Sequence, residues 1–73
     1  MKTYEVHYML HSADTTKEIE VQAANKAEAY DKAVFEEIPE KHDGEQAWGA
    51  YVASVRYASG RVQRFNTGYG LPY

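Results

Sequence analysis

The sequence predicts a two-layer α+β domain in which one helix covers one face of a four-stranded antiparallel sheet, in the order β-β-α-β-β. Three observations carry this: two stretches of period-two alternation near the N-terminus, a capped stretch of helical spacing in the middle, and two β-rich stretches joined by a glycine turn. Thr3-Tyr-Glu-Val-His-Tyr-Met-Leu10 places Tyr4, Val6, Tyr8 and Leu10 on one side and Glu5, His7 and Met9 on the other. Alternation of β-prone residues marks a strand with one buried face. After the polar turn His11-Ser-Ala-Asp14, Thr16 to Ala23 alternates again, with Ile19 and Val21 opposite Glu18, Glu20 and Gln22, which makes a hairpin.

The helix begins at Asn25, whose side chain can cap it, with Glu28 three residues on to reach back to the cap's amide. Ala27, Tyr30, Val34 and Ile38 recur at helical spacing as the apolar stripe, while Lys26, Asp31, Lys32 and Glu36 fall elsewhere. Pro39 disfavours helical geometry at the preceding residue, so the helix is expected to stop at Ile38. Glu40-Lys-His-Asp-Gly-Glu45 then reads as a charged loop.

Trp48 to Tyr57 forms the third strand and Arg61 to Phe65 the fourth, with Gly60 closing the turn Ala58-Ser-Gly60. A three-residue loop sets Tyr57 against Arg61, Val55 against Gln63 and Ala53 against Phe65. Strict alternation then sends Tyr51, Val55 and Phe65 to the core and Val52, Arg56, Val62 and Arg64 to the opposite face. That face, which the single helix cannot cover, is expected to show Glu5, His7, Met9, Glu18 and Glu20 from the first hairpin beside those four.

Length and charge bound what the chain can do. At 73 residues it holds one domain with a marginal core, and residues 66–73 read as an irregular tail. With no cysteine there is neither a disulfide framework nor a thiolate site. No apolar run approaches the roughly 20 residues needed to span a bilayer, and the N-terminus lacks the apolar core of a signal peptide, so the expected location is the cytoplasm. The net charge of -3 is unevenly spread. All eleven acids and all five lysines lie at or before Glu45, and the three arginines, Arg56, Arg61 and Arg64, lie after it. The bland explanation is neutralisation between strands, with arginines of the fourth strand answering Glu18 and Glu20 across the sheet.

Catalytic, metal and cofactor chemistry finds little support. His7 and His11, four apart on a strand, sit about 13 Å apart at about 3.3 Å per residue, too far to share an ion. His42 and Asp43 have no evident third ligand, so no metal site is expected. His11, Ser12 and Asp14 are triad residue types, but neighbours in one turn cannot be oriented as a triad. The acids from Glu36 to Glu45 read as a solvated charge run. Gly68-Tyr-Gly70 lacks the spacing and following helix of a phosphate loop. No catalytic residue and no cofactor are therefore assigned. Nucleic acid is a candidate partner through Arg56, Arg61 and Arg64 with Trp48, Tyr51, Tyr57, Phe65 and Tyr69, although three cations on a net-negative chain make a small footprint.

Val21-Gln-Ala23, Ala24-Asn-Lys-Ala-Glu-Ala29 and Asp31-Lys-Ala33 together resemble the V-x-A-x-N-x-x-E-A strand-to-helix joint of small β-β-α-β-β proteins, many of them encoded by bacteriophages and prophages. The element order shared with them runs over residues 3–65. The resemblance implies a phage-type protein that acts in the host cytoplasm and binds a host protein. The sheet face left uncovered by the helix, bearing Met9, Val52 and Val62, points to a non-enzymatic module that docks a host protein or itself through that face or an exposed edge, with nucleic acid as the alternative partner through the arginines and aromatics. The residues expected to carry such docking are Met9, Arg56, Arg61, Val62, Arg64, Tyr69, Leu71 and Tyr73.

Overall fold

The computed structural model describes residues 2–13 and 15–65. Strands β1 (Lys2–Met9), β2 (Lys17–Ala23), β3 (Trp48–Arg56) and β4 (Val62–Arg64) form one antiparallel sheet in the order β2-β1-β3-β4. Between β2 and β3, α1 (Lys26–Lys32), a π-helical segment (Ala33–Glu37) and α2 (Ile38–Lys41) follow one another as a single helical rod. The predicted α+β class and element order are therefore those of the molecule. Among the described residues, no helix is long and apolar enough to cross a membrane.

The helix starts as its capping residues dictate. Glu28 N–H donates to Asn25 Oδ1 at 2.9 Å, and Glu28 Oε1 reaches back to accept from Ala24 N–H at 3.3 Å, one residue before the expected partner. Its end departs from expectation, because Pro39 lies inside the helix. Just upstream, Ile38 N–H donates to Ala33 O, five residues back, and this wider π turn accommodates a ring that cannot donate to the carbonyl four residues behind it. The added residue also changes which face is buried. Ala29, Ala33 and Ile38, spaced four and then five apart, meet the sheet, while Ala27 is exposed and Tyr30 and Val34 are only half-buried. The rod ends where Gly44 N–H donates to Pro39 O at 2.6 Å, with Asp43 at φ 56° and Gly44 at φ 87°. This is a Schellman-type stop in which an aspartate holds the left-handed position that glycine occupies at least cost.

The core lies between this rod and one face of the sheet. It comprises Tyr4, Val6, Tyr8 and Leu10 of β1 and its end, Val21 and Ala23 of β2, the three helix residues, and Val52 and Val55 of β3. Alanines at 23, 29 and 33 are wholly buried, which lets the helix backbone approach the sheet closely. Tyr8 keeps a polar outlet, its hydroxyl lying 2.8 Å from His42 Nε2, and burial pushes that hydroxyl up from its ordinary 10.0.

In β3 the expected alternation fails twice. His7 pairs with Tyr51 and Met9 with Trp48, so three steps on β3 match two on β1, and Gly49 takes φ 65° at that bulge. Glu5 pairs with Ser54 and Val6 with Val52, leaving Ala53 as a second extra residue. The bulge at Ala53 exchanges Tyr51 and Val52, so that Val52 is fully buried in the core and Tyr51 lies beside His7 on the other face, and the bulge at Gly49 returns Trp48 to that face beside Met9. Beyond the bulges the expected register holds. Val55 pairs with Gln63, Tyr57 N–H donates to Arg61 O, Phe65 N–H donates to Ala53 O, and Gly60 closes the turn at φ 92°.

Candidate functional site

The sheet face turned away from the helix consists of four cross-strand rows, set by strand pairing. At one end Met9 stands beside Trp48, which is 46% exposed and stacked on the His11 ring with centroids 5.9 Å apart. The next row is Glu18, His7 and Tyr51. The third is Glu20, Glu5, Ser54 and Arg64, and the fourth Gln22, Thr3, Arg56 and Val62. The last two rows, Gln22 apart, line a depression of about 150 Å³. Val62, 53% exposed, forms its apolar rim.

Charge on this face is divided by strand. The acids Glu5, Glu18 and Glu20 lie on β1 and β2, and the cations Arg56 and Arg64 on β3 and β4. Glu5 directly faces Glu20, a like-charge pairing that destabilises a sheet unless a cation stands near. Arg56 supplies one, with Nη1 3.5 Å from Glu20 Oε2 across β1. Thus it is Arg56 of the third strand, not an arginine of the fourth, that answers the acids, because β4 and β2 are opposite edges of the sheet. Arg64 has no ion-pair partner among the described residues.

His7 sits at the centre of the face. Its Nε2 is 2.8 Å from Glu5 Oε1 and 3.5 Å from Glu18 Oε2, and its Nδ1 is 3.1 Å from the Tyr51 hydroxyl. Nε2 therefore carries a proton donated to Glu5, and Tyr51 fixes the ring's orientation from the other side. Glu5, His7 and Glu18 bring three ligand atoms within 4.8 Å of one another, a donor set that suits a divalent ion. A proton held between imidazole and carboxylates satisfies the same geometry, and Glu18, 67% exposed, is free to turn away. Comparison of histidines with one another along the chain misses this group. Its signal lies in the hairpin register, which puts Glu18 opposite His7.

Other sequence-selected residues go elsewhere. Arg61 leaves the open face and lies over the Tyr57 ring, 4.9 Å from its centroid. His42 joins Tyr8 at the helix end, and Ser12 donates its N–H and hydroxyl to Glu45 at 3.0 and 2.7 Å, tying the first turn to the loop before β3. These bonds hold the Glu45 carboxyl below its ordinary range. Asp14, Tyr69, Leu71 and Tyr73 fall outside the described residues. Met9, Arg56, Val62 and Arg64 are brought onto one face, and Trp48 and Tyr51 join them by way of the bulges. No family model matches the chain, and neither a curated protein nor a solved structure matches it.

Proposed function

We propose that the chain is a non-enzymatic interaction module, of the kind the strand-to-helix joint resembles in phage-encoded proteins, and that it docks a protein through the open face of its sheet. The observation carrying this reading is the inequality of the two faces: one is closed by the helix, while the other holds Met9, Trp48, Tyr51 and Val62 among fixed charges with no helix or strand of the described residues laid over it. Aromatic and apolar side chains ringed by polar groups are the composition of docking surfaces. The acids Glu5, Glu18 and Glu20 on the same face oppose a polyanion and weigh against nucleic acid.

Capture from cell lysate tests the reading when three baits are compared, each with and without nuclease. Proteins retained by the wild-type chain are expected to be lost with Trp48→Ser/Tyr51→Ser and kept with Phe35→Ser, since Phe35 is 71% exposed on the helix side. Equal capture by all three baits would overturn the open-face reading. Capture abolished by nuclease would replace it with nucleic-acid binding.

A further inference from the structure

We infer that a second copy of the chain is the partner that covers the open face, related by a twofold axis running parallel to the strands between β1 and β3. This inference rests on the docking role proposed for that face and specifies its occupant.

Charges on this face are left unanswered among the described residues of one molecule. Three acids stand toward the β2 edge and two arginines toward the β4 edge, and among the described residues only the Arg56–Glu20 contact joins the two groups. A face-to-face pair of sheets has two simple twofold arrangements. An axis running across the strands lays β2 on the partner's β2 and sets acids on acids. An axis running along the strands exchanges left and right, laying β2 on the partner's β4. Only the second is electrostatically self-complementary, as an isologous interface must be.

Row by row, this axis keeps each residue at its level along the strands. In the third row Glu20 meets Arg64 of the second copy, and Arg64 meets that copy's Glu20, so a cation without an ion-pair partner among the described residues of one molecule gains one. In the first row Met9 and Trp48, on the two strands flanking the axis, meet Trp48 and Met9 of the second copy and build an apolar cluster from both at that end of the interface. The area is adequate for a reversible dimer. Strands of 8, 7, 9 and 3 residues, at about 3.3 Å per residue and about 4.8 Å apart, present roughly 430 Å² per copy, or roughly 860 Å² in all, the size of a weak, transient association.

Charge reversal tests the axis itself. Sedimentation velocity of the purified chain, from micromolar to millimolar concentration at low salt, is expected to show a monomer–dimer equilibrium that weakens as salt is added. Arg64→Glu and Glu20→Arg, both at exposed positions and checked for folding by circular dichroism, are each expected to weaken self-association by about tenfold or more. Mixing the two variants is expected to restore it as a heterodimer, because each Glu20–Arg64 contact is then remade with opposite charges facing. A wild-type chain that stays monomeric at millimolar concentration, or a mixture no more associated than its components, would overturn the inference. A monomer whose lysate capture still depends on Trp48 and Tyr51 would overturn the self-pairing alone and leave the docking face intact.

Discussion

The two faces of this sheet are made by the same strands, yet they obey different rules. On the helix side Tyr4, Val6 and Tyr8 of β1 are buried, and the helix contributes alanines that bring it close. On the open side the same strand presents Thr3, Glu5, His7 and Met9, and their neighbours are chosen by charge and hydrogen bonding rather than by volume. The lesson is that one face carries the stability and the other is free to carry specificity. Loss of a core methyl group cannot be repaired by solvent, whereas an unsatisfied surface charge can be.

The largest effect that could break this comparison is in the core. Ile38, wholly buried at the π turn, is expected to cost about 2–5 kcal/mol as Ile38→Ala, while Val62→Ala on the open face stays within about 0.5 kcal/mol. Urea unfolding of both variants measures the contrast, and equal losses would mean that the faces have been misassigned. Next in size is the bulge at Gly49, two positions from Tyr51, which sets Trp48 beside Met9 on the open side. Gly49→Ala meets no atom within 4 Å, so its cost is conformational and is expected at about 1–2 kcal/mol for an L-residue held at φ 65°. The change is also expected to alter the amide shifts of Tyr51 and Val52 together.

Smaller still, Asp43→Gly relieves a left-handed aspartate at the helix stop and is expected to raise stability by about 0.5–1 kcal/mol in the same assay. The smallest effect is a pH dependence. Bonds from Ser12 depress the Glu45 carboxyl, so the tie it makes is present above the ordinary value of 4.5 and is lost as pH falls through the lower folded-state value. Thermal melts from pH 7 down to pH 2 are therefore expected to converge for the wild type and Glu45→Gln at the acid end. A constant difference across that range would remove Glu45 from the acid response.

The contrast between the faces was legible wherever the backbone is regular. Alternation in residues 3–10 placed Tyr4, Val6, Tyr8 and Leu10 inside and Glu5, His7 and Met9 outside, and the three-residue turn at Gly60 gave the register of β3 with β4. It was illegible at the two bulges and the π turn. Each inserts one residue without a local signal strong enough to reveal it, and one residue is enough to exchange Tyr51 with Val52 or to move the helix stripe from Ala27 and Val34 to Ala29 and Ala33. The group Glu5, His7 and Glu18 was hidden for a different reason, since its third member arrives from a neighbouring strand.

By itself, then, the sequence determined the local elements: side-chain period, capping residues and turn glycines act within a few positions, and their energies favour strand or helix before any packing occurs. The tertiary structure alone decided the strand order β2-β1-β3-β4, which sets Arg64 at the edge opposite the acids of β2 and leaves Arg56 to reach Glu20 across β1. It also decided the placement of the extra residues, because a bulge or π turn is chosen by whichever side chain the closed core can accept. For Val52 and Ile38 that choice was burial, and for Tyr51 and Trp48 it was the open face.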